Sequence, residues 1–404
     1  MYNNKIAMLL TVISLVVLPF MFVHVASDAY AQDIDEPPVA YQKKALIVIT
    51  NPLTASRLAE PVILPIASIL KEVPDFNRRF FRLRHATNLS FEPLDIPSQI
   101  RMIPGKDPDT DELVFQVDMA PSEVKMIELW YNPEGTGLPD YPLKTQAFDT
   151  WYRPGENLAW ENEVIAYRSY GGIVDFFGKT FPHLRLHDLP PDSYHHERLW
   201  GIDPYMVGST PGLGGVLVFE GETATKWYGT STDREFSYQA YSGGPVVAGG
   251  VVMIKDKGRL LTNTFSLFSG RYENWVCSRI ENGEATQKKG TRCIAPGMQK
   301  FENARIMVHE DAGIIAGWGS ATGEYGTIGT ALVWNPSDAY GIHDTEDGIF
   351  VKLRPSTENE VSYLSIAVWY RASAEQPVSP DAFMEHLKTL AQCFQNPVTI
   401  AIER

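Results

Sequence analysis

Val246-Val247-Ala248-Gly249-Gly250-Val251-Val252-Met253-Ile254 and, after a break carrying Asp256 and Gly258, Leu260-Leu261-Thr262-Asn263-Thr264-Phe265-Ser266-Leu267-Phe268 decide how this chain is read. Both runs are rich in Val, Ile, Leu and Phe, and turn residues part them, which is the pattern of strands. Working outward, the same texture returns at Ala45–Thr50, Leu113–Met119, Lys125–Tyr131, Val164–Tyr170, Val216–Glu220, Ile349–Leu353 and Tyr363–Tyr370. Gly, Pro, Asn and Asp clusters separate them, and 31 Gly and 28 Pro are the punctuation of an all-β protein with many turns. Strand–helix alternation and a Gly-x-Gly-x-x-Gly after a strand are both missing, which argues against a nucleotide-binding α/β domain. The expected architecture is a large β-sandwich of two apposed antiparallel sheets, supersandwich-like, with a C-terminal helix. That helix has Ser379 as N-cap and Pro380 and Asp381 in its first turn. Phe383, Met384, Leu387, Leu390, Ala391 and Phe394 form its core stripe, and Asn396-Pro397 stops it. A second short helix is expected over Glu72–Arg82. Residues 40–404 read as one sandwich domain, and the polar stretch 132–150 is where an N-terminal strand set would separate from the rest.

Residues 1–31 read as an export signal. Lys5 precedes the apolar run Ile6–Val23, and Ala29-Tyr30-Ala31 is a small-x-small cleavage site. The expectation is a periplasmic or secreted bacterial protein with no membrane attachment after cleavage; an uncleaved anchor is the alternative. The net charge of -14 argues against nucleic-acid binding, where phosphate contacts supply most of the affinity. An anionic ligand would need cations gathered locally. Of the three cysteines, Cys277 and Cys293 flank a polar stretch expected to be a hairpin loop, which a disulfide could close. Cys393 falls on the helix's apolar face.

Chemistry concentrates in Ala159-Trp160-Glu161-Asn162-Glu163, Ala166-Tyr167-Arg168-Ser169-Tyr170-Gly171 and Tyr194-His195-His196-Glu197, followed by Trp200 to Tyr205 and the glycines Gly208, Gly212, Gly214 and Gly215. Trp160 could stack on a sugar ring or fill the core. Glu161 and Glu163, two apart on a strand, could act as a hydrolytic carboxylate pair, about 6.6 Å apart by strand rise. His195 has the side-chain type whose pKa lies nearest working pH, Tyr194 is a complementary acid, and Asp203 could orient the imidazole. Arg168 and Lys179 are the local cations for a uronate carboxylate, whose neutralisation acidifies the neighbouring C–H. Asn162, Tyr205 and His196 complete a substrate-binding set around Trp160 and Glu161. A metal centre is not expected: His183 and His187 lie roughly 13 Å apart on an extended segment, too far for one ion. Neither Asp107–Glu112 nor Asp344–Asp347 has the spacing of a known calcium loop, although either could bind that ion. The glycines read as a tight turn or a ligand cradle.

In its order of motifs the chain resembles a secreted bacterial family known as domain of unknown function 4861. The resemblance lies in Thr50-Asn51-Pro52-Leu53 with Arg57, Pro97-Ser98-Gln99, Phe115-Gln116-Val117-Asp118, Ala159 through Gly171, Tyr194-His195, Asp203-Pro204-Tyr205, Val207-Gly208, Gly212 to Gly215 and Pro397-Val398. It departs at Tyr152-Arg153-Pro154 and at Pro204. The resemblance implies a predominantly β protein of bacterial polysaccharide degradation. Three functions stand open. The first is β-elimination from uronic-acid-containing oligosaccharides, by a lyase or dehydratase using His195 and Tyr194. The second is glycoside hydrolysis through Glu161 or Glu163 with Asp203, and the third is non-catalytic glycan binding. No cofactor beyond calcium suggests itself, and the sequence leaves the oligomeric state open.

Overall fold

The computed structural model describes residues 40–86, 95–107, 110–150, 157–188, 195–229, 231–241, 243–281, 292–320, 325–371 and 379–404. The export signal therefore lies outside the described residues. Every strand foreseen from the β-type runs is present, and all the named strands pair antiparallel in five sheets. The deciding stretch forms the hairpin Val247–Asp256 and Arg259–Phe268, the second and third strands of an eight-stranded sheet. Two five-stranded sheets complete the sandwich with it. One runs from Gly201–Ile202 through Ile173–Lys179, Ile165–Tyr170 and Leu158–Asn162 to Thr145–Phe148; the other includes Leu213–Glu220 and Arg292–Gln299. Their inner faces close on one core containing Trp160, Tyr167, Phe176, Trp227, Phe265, Phe350 and Tyr363.

The strands before residue 132 supply four strands of a five-stranded sheet and all of a three-stranded one, around a core of their own, with Ile47, Val62, Phe81, Phe115 and Leu129 at its centre. The last strand, Thr399–Glu403, returns to pair with Lys43–Thr50 at the edge of that five-stranded sheet. Helix Pro380–Gln395 begins as expected, the Ser379 side chain accepting from the Ala382 N–H. It lays its apolar stripe over strands of the eight-stranded sheet. Among the described residues no helix is long and apolar enough to cross a membrane.

Two expectations are corrected. The short helix occupies Ile66–Glu72, not Glu72–Arg82, because Pro74 disfavours helical geometry at Val73, where the helix ends. Cys277 and Cys293 do not flank a hairpin: their strands belong to different sheets, and both cysteines are free thiols. Burial pushes the Cys277 thiol up to about 12.

Candidate functional site

Period-two alternation sorts three adjacent strands onto two faces. Trp160, Tyr167 and Phe176 are cross-strand neighbours on the core face, while Ala159, Arg168 and Asp175 are neighbours on the opposite face. Glu161, Ala166 and Phe177 share that outer face, as does Lys179, two residues beyond Phe177. The following chain folds back over it, so that Leu186 and Trp200 cluster with Ala159, Ala166 and Phe177. Gly171 and Gly172 supply φ of 55° and 75°, as a two-residue hairpin turn requires. That turn sets Arg168 directly across from Asp175.

Arg168 and Asp175 make a buried, two-point ion pair. Nε donates to Oδ1 at 3.2 Å and a terminal nitrogen donates to Oδ2. Asp203, just after the Gly201–Ile202 strand, places Oδ2 3.7 Å from the Arg168 guanidinium and 3.4 Å from His195 Nδ1. Its Oδ1 accepts the Tyr205 N–H at 3.1 Å. The Asp203 side chain is fully buried, whereas that of His195 is 41% exposed. The imidazole therefore stands between the buried charges and solvent.

Burial drives the Asp203 carboxyl well above its ordinary 3.8, the neighbouring Asp175 charge pushes the same way, and Arg168 offsets only part. Asp175 is raised too, by burial, against the pull of Arg168 and His195. Two enclosed carboxylates face one permanent cation. A second uncompensated negative charge is unfavourable there, which favours the protonated form of one of the two carboxyls.

Lys179 and Glu161 do a different job. The Lys179 ammonium donates to Glu161 Oε2, to the Asn162 carbonyl at 2.6 Å and to the His183 carbonyl at 2.7 Å. Glu161 Oε1 accepts from Gln146 and from the N–H groups of Arg185 at 2.7 Å and Leu186 at 2.6 Å. Burial pulls the Lys179 amine below its ordinary range, with Glu161 opposing. All three ammonium protons are used inside the protein, so the pair fastens the 180–188 loop to the sheet instead of meeting a substrate carboxylate.

The remaining expected binding residues divide by burial. In place of a sugar platform, Trp160 is a core residue, stacked on Phe265 at 4.7 Å and donating through Nε1 to Asn274 at 3.2 Å. Asn162 is buried as well. It donates to the carbonyls of Phe268 and Arg271 and accepts the N–H groups of Val164 and Ile165, which shapes the turn. Tyr205 is buried with its hydroxyl donating to the Gly212 carbonyl at 3.0 Å. His196 is exposed, its Nδ1 3.4 Å from the Tyr325 hydroxyl, and the next residue, Glu197, pairs with Arg371 at 2.8 Å. Tyr194 lies outside the described residues. Glu163 falls in the turn after its strand and its carboxylate meets Ser269, while its charge still reaches Lys179. His183 stacks on Phe181 and His187 pairs with Asp188. The glycines make the turn: Gly212 has φ of 60°, and a Cβ there would lie 2.1 Å from the Val174 carbonyl. Asp175 is the residue that sequence reasoning missed. The signal was present, since a Gly171-Gly172 turn sets its register against Arg168.

Residues 49–400 match the family described as domain of unknown function (DUF4861), and the chain belongs to that family. No curated protein matches it. Among solved structures it is similar to a protein in glycosyl hydrolase family 38 from Enterococcus faecalis. That likeness has a TM-score of 0.51 at 10% identity and covers 89% of this chain and 47% of the other. An α-mannosidase from Enterococcus faecalis V583 gives a TM-score of 0.47 at 10% identity, over 89% of this chain and 46% of the other. The chain thus spans about half the length of these solved structures. The likeness to the first is one of fold.

Proposed function

We propose that this member of the DUF4861 family is an exported carbohydrate-active enzyme that acts by proton transfer on a sugar, with β-elimination from a uronate as its reaction. The observation that carries the reading is the buried charge set of Arg168, Asp175 and Asp203 packed directly behind a part-exposed His195. The fold likeness to a protein in glycosyl hydrolase family 38 supports carbohydrate as the substrate class. The Asp203 backbone carbonyl and Oδ2 both lie 3.4 Å from His195 Nδ1, which leaves Nε2 to exchange protons with substrate. His195 takes the proton from the carbon next to the carboxylate, the double bond forms, and the oxygen on the next carbon leaves with a proton from Tyr194. Lys179 being enclosed, the substrate carboxylate falls to Arg371, a part-exposed cation paired with Glu197 two residues beyond His195.

The test is absorbance in the unsaturated-uronate band during incubation with a panel of uronate oligosaccharides. Wild-type protein should produce the band and His195→Ala should lose about 10²-fold or more in rate. New reducing ends without unsaturation would replace elimination by hydrolysis. Silence in both assays with saturable sugar binding would leave a glycan-binding protein.

A further inference from the structure

In a chain of net charge -14, an anion meets a repulsive field unless cations gather locally. One such gathering lies beside the N-terminal core. Lys71, Arg78 and Arg79 line a cavity of about 720 Å³, and no acidic side chain lines it with them. The volume falls within the range of ligand cavities, about 300–1,000 Å³. Ile66, Leu70 and Phe76 supply the apolar part of the wall.

The three cations differ in how far they are engaged. Arg78 pairs with Asp111. Lys71 comes no nearer than 3.9 Å to Glu72, and its side chain is 82% exposed. Arg79 is exposed, and among the described residues its side chain meets no acid or carbonyl. The turn that carries it is held from behind. Asn77 Nδ2 donates to the carbonyls of Asn132, Pro133 and Gly135 at 2.9, 3.0 and 2.9 Å, while Asn77 Oδ1 accepts the Arg79 N–H at 3.0 Å. The backbone at Arg79 is thus fixed, and its guanidinium faces solvent. A guanidinium forks onto the two oxygens of a carboxylate, and the Lys71 ammonium adds a second positive charge beside it. Leu70, 39% exposed, offers these cations an apolar neighbour that a ligand can reach.

We infer that this cavity is a second saccharide site, apart from His195, which takes the carboxylate of a uronate unit on Arg79 and Lys71 with the sugar ring beside Leu70. That the anion is a uronate rests on the function proposed above; the place and the sign of its charge do not. The experiment measures acetylation of Lys71 by an N-hydroxysuccinimide ester, read by mass spectrometry on the full chain carrying His195→Ala, so that the saccharide is not consumed. Lys255, 58% exposed on the eight-stranded sheet, is the internal control. Digalacturonate or cellobiouronic acid should slow the reaction at Lys71 saturably and leave Lys255 unchanged. The neutral methyl esters should bind about tenfold or more weaker, and Arg79→Gln should raise Kd for the acids by a similar factor. The inference is overturned if neither acid protects Lys71, if the methyl esters protect it equally, if Arg79→Gln has no effect, or if inorganic phosphate protects as well as the acids do. Unsaturated-product formation is read separately on the wild-type protein, so either proposal can fail while the other stands.

Discussion

Asp203 is a carboxyl that the fold holds out of water beside a second carboxyl, and its titration is the most direct handle on the site. A carboxyl with a raised native pKa binds its proton more tightly folded than unfolded. Its contribution to stability is complete below the ordinary value of 3.8 and is lost as pH rises through the raised native value. Wild-type melting temperature should therefore fall over that window, and Asp203→Asn should flatten the fall. The same variant should lower turnover by about 10²-fold, because an amide carries no charge to balance the imidazolium, while the backbone carbonyl beside His195 Nδ1 is kept. A variant with an unchanged pH profile and full turnover would remove Asp203 from the set. His195, Arg168 and Asp203 could be nominated from residue type alone. Their grouping could not, since it depends on which face of which strand each occupies.

Strands were the legible elements. Alternation of β-branched and aromatic residues with turn clusters acts over a few neighbours, so Val247–Asp256 and Arg259–Phe268 could be read directly. The Pro380–Gln395 helix could be read from its cap and stripe. The loop over 180–188 was not legible, because what holds it is a buried charge contact from another strand. Lys179→Met should leave Glu161 enclosed without its cation and cost about 3–5 kcal/mol in denaturant unfolding. Pairing it with Glu161→Gln, which keeps an acceptor for the Arg185 and Leu186 N–H groups, should recover about half of that loss or more. Equal losses for the single and double variants would show that the charge pairing is immaterial.

At the scale of the molecule, the N-terminal strands are tied to the C-terminal helix. Arg57 is fully buried; it donates to Asn51 at 2.8 Å and to Glu60 at 2.7 Å. It also donates to the carbonyls of Cys393 and Asn396 at the C-terminal end of the long helix, where a cation meets the negative end of the helix dipole. The closing strand then adds five register pairs to Lys43–Thr50, and Val398, Ile400 and Ile402 pack on the N-terminal core. Ending the chain at Asn396 should cost about 3 kcal/mol or more. Amide exchange should quicken first in Lys43–Thr50 while Val247–Asp256 stays protected. Uniform loss of protection would mean that the two cores unfold as one.

What the sequence determined by itself is the class of the fold: strand-length runs, their turns, one capped helix and the membership that its ordered motifs announce. Those signals are local, set by backbone preference and by the two-residue period of a strand. What only the tertiary structure decided is the fate of the polar residues. Trp160, Asn162 and Tyr205 went into the core, Lys179 was closed off by Glu161, and Asp175 joined Arg168 and Asp203 behind His195. Whether a charge is free to meet a ligand depends on what packs over it. In this chain the cover over the Ile165–Lys179 hairpin comes from Leu186, Trp200 and the segment carrying His195 and Asp203, beyond the reach of any local pattern.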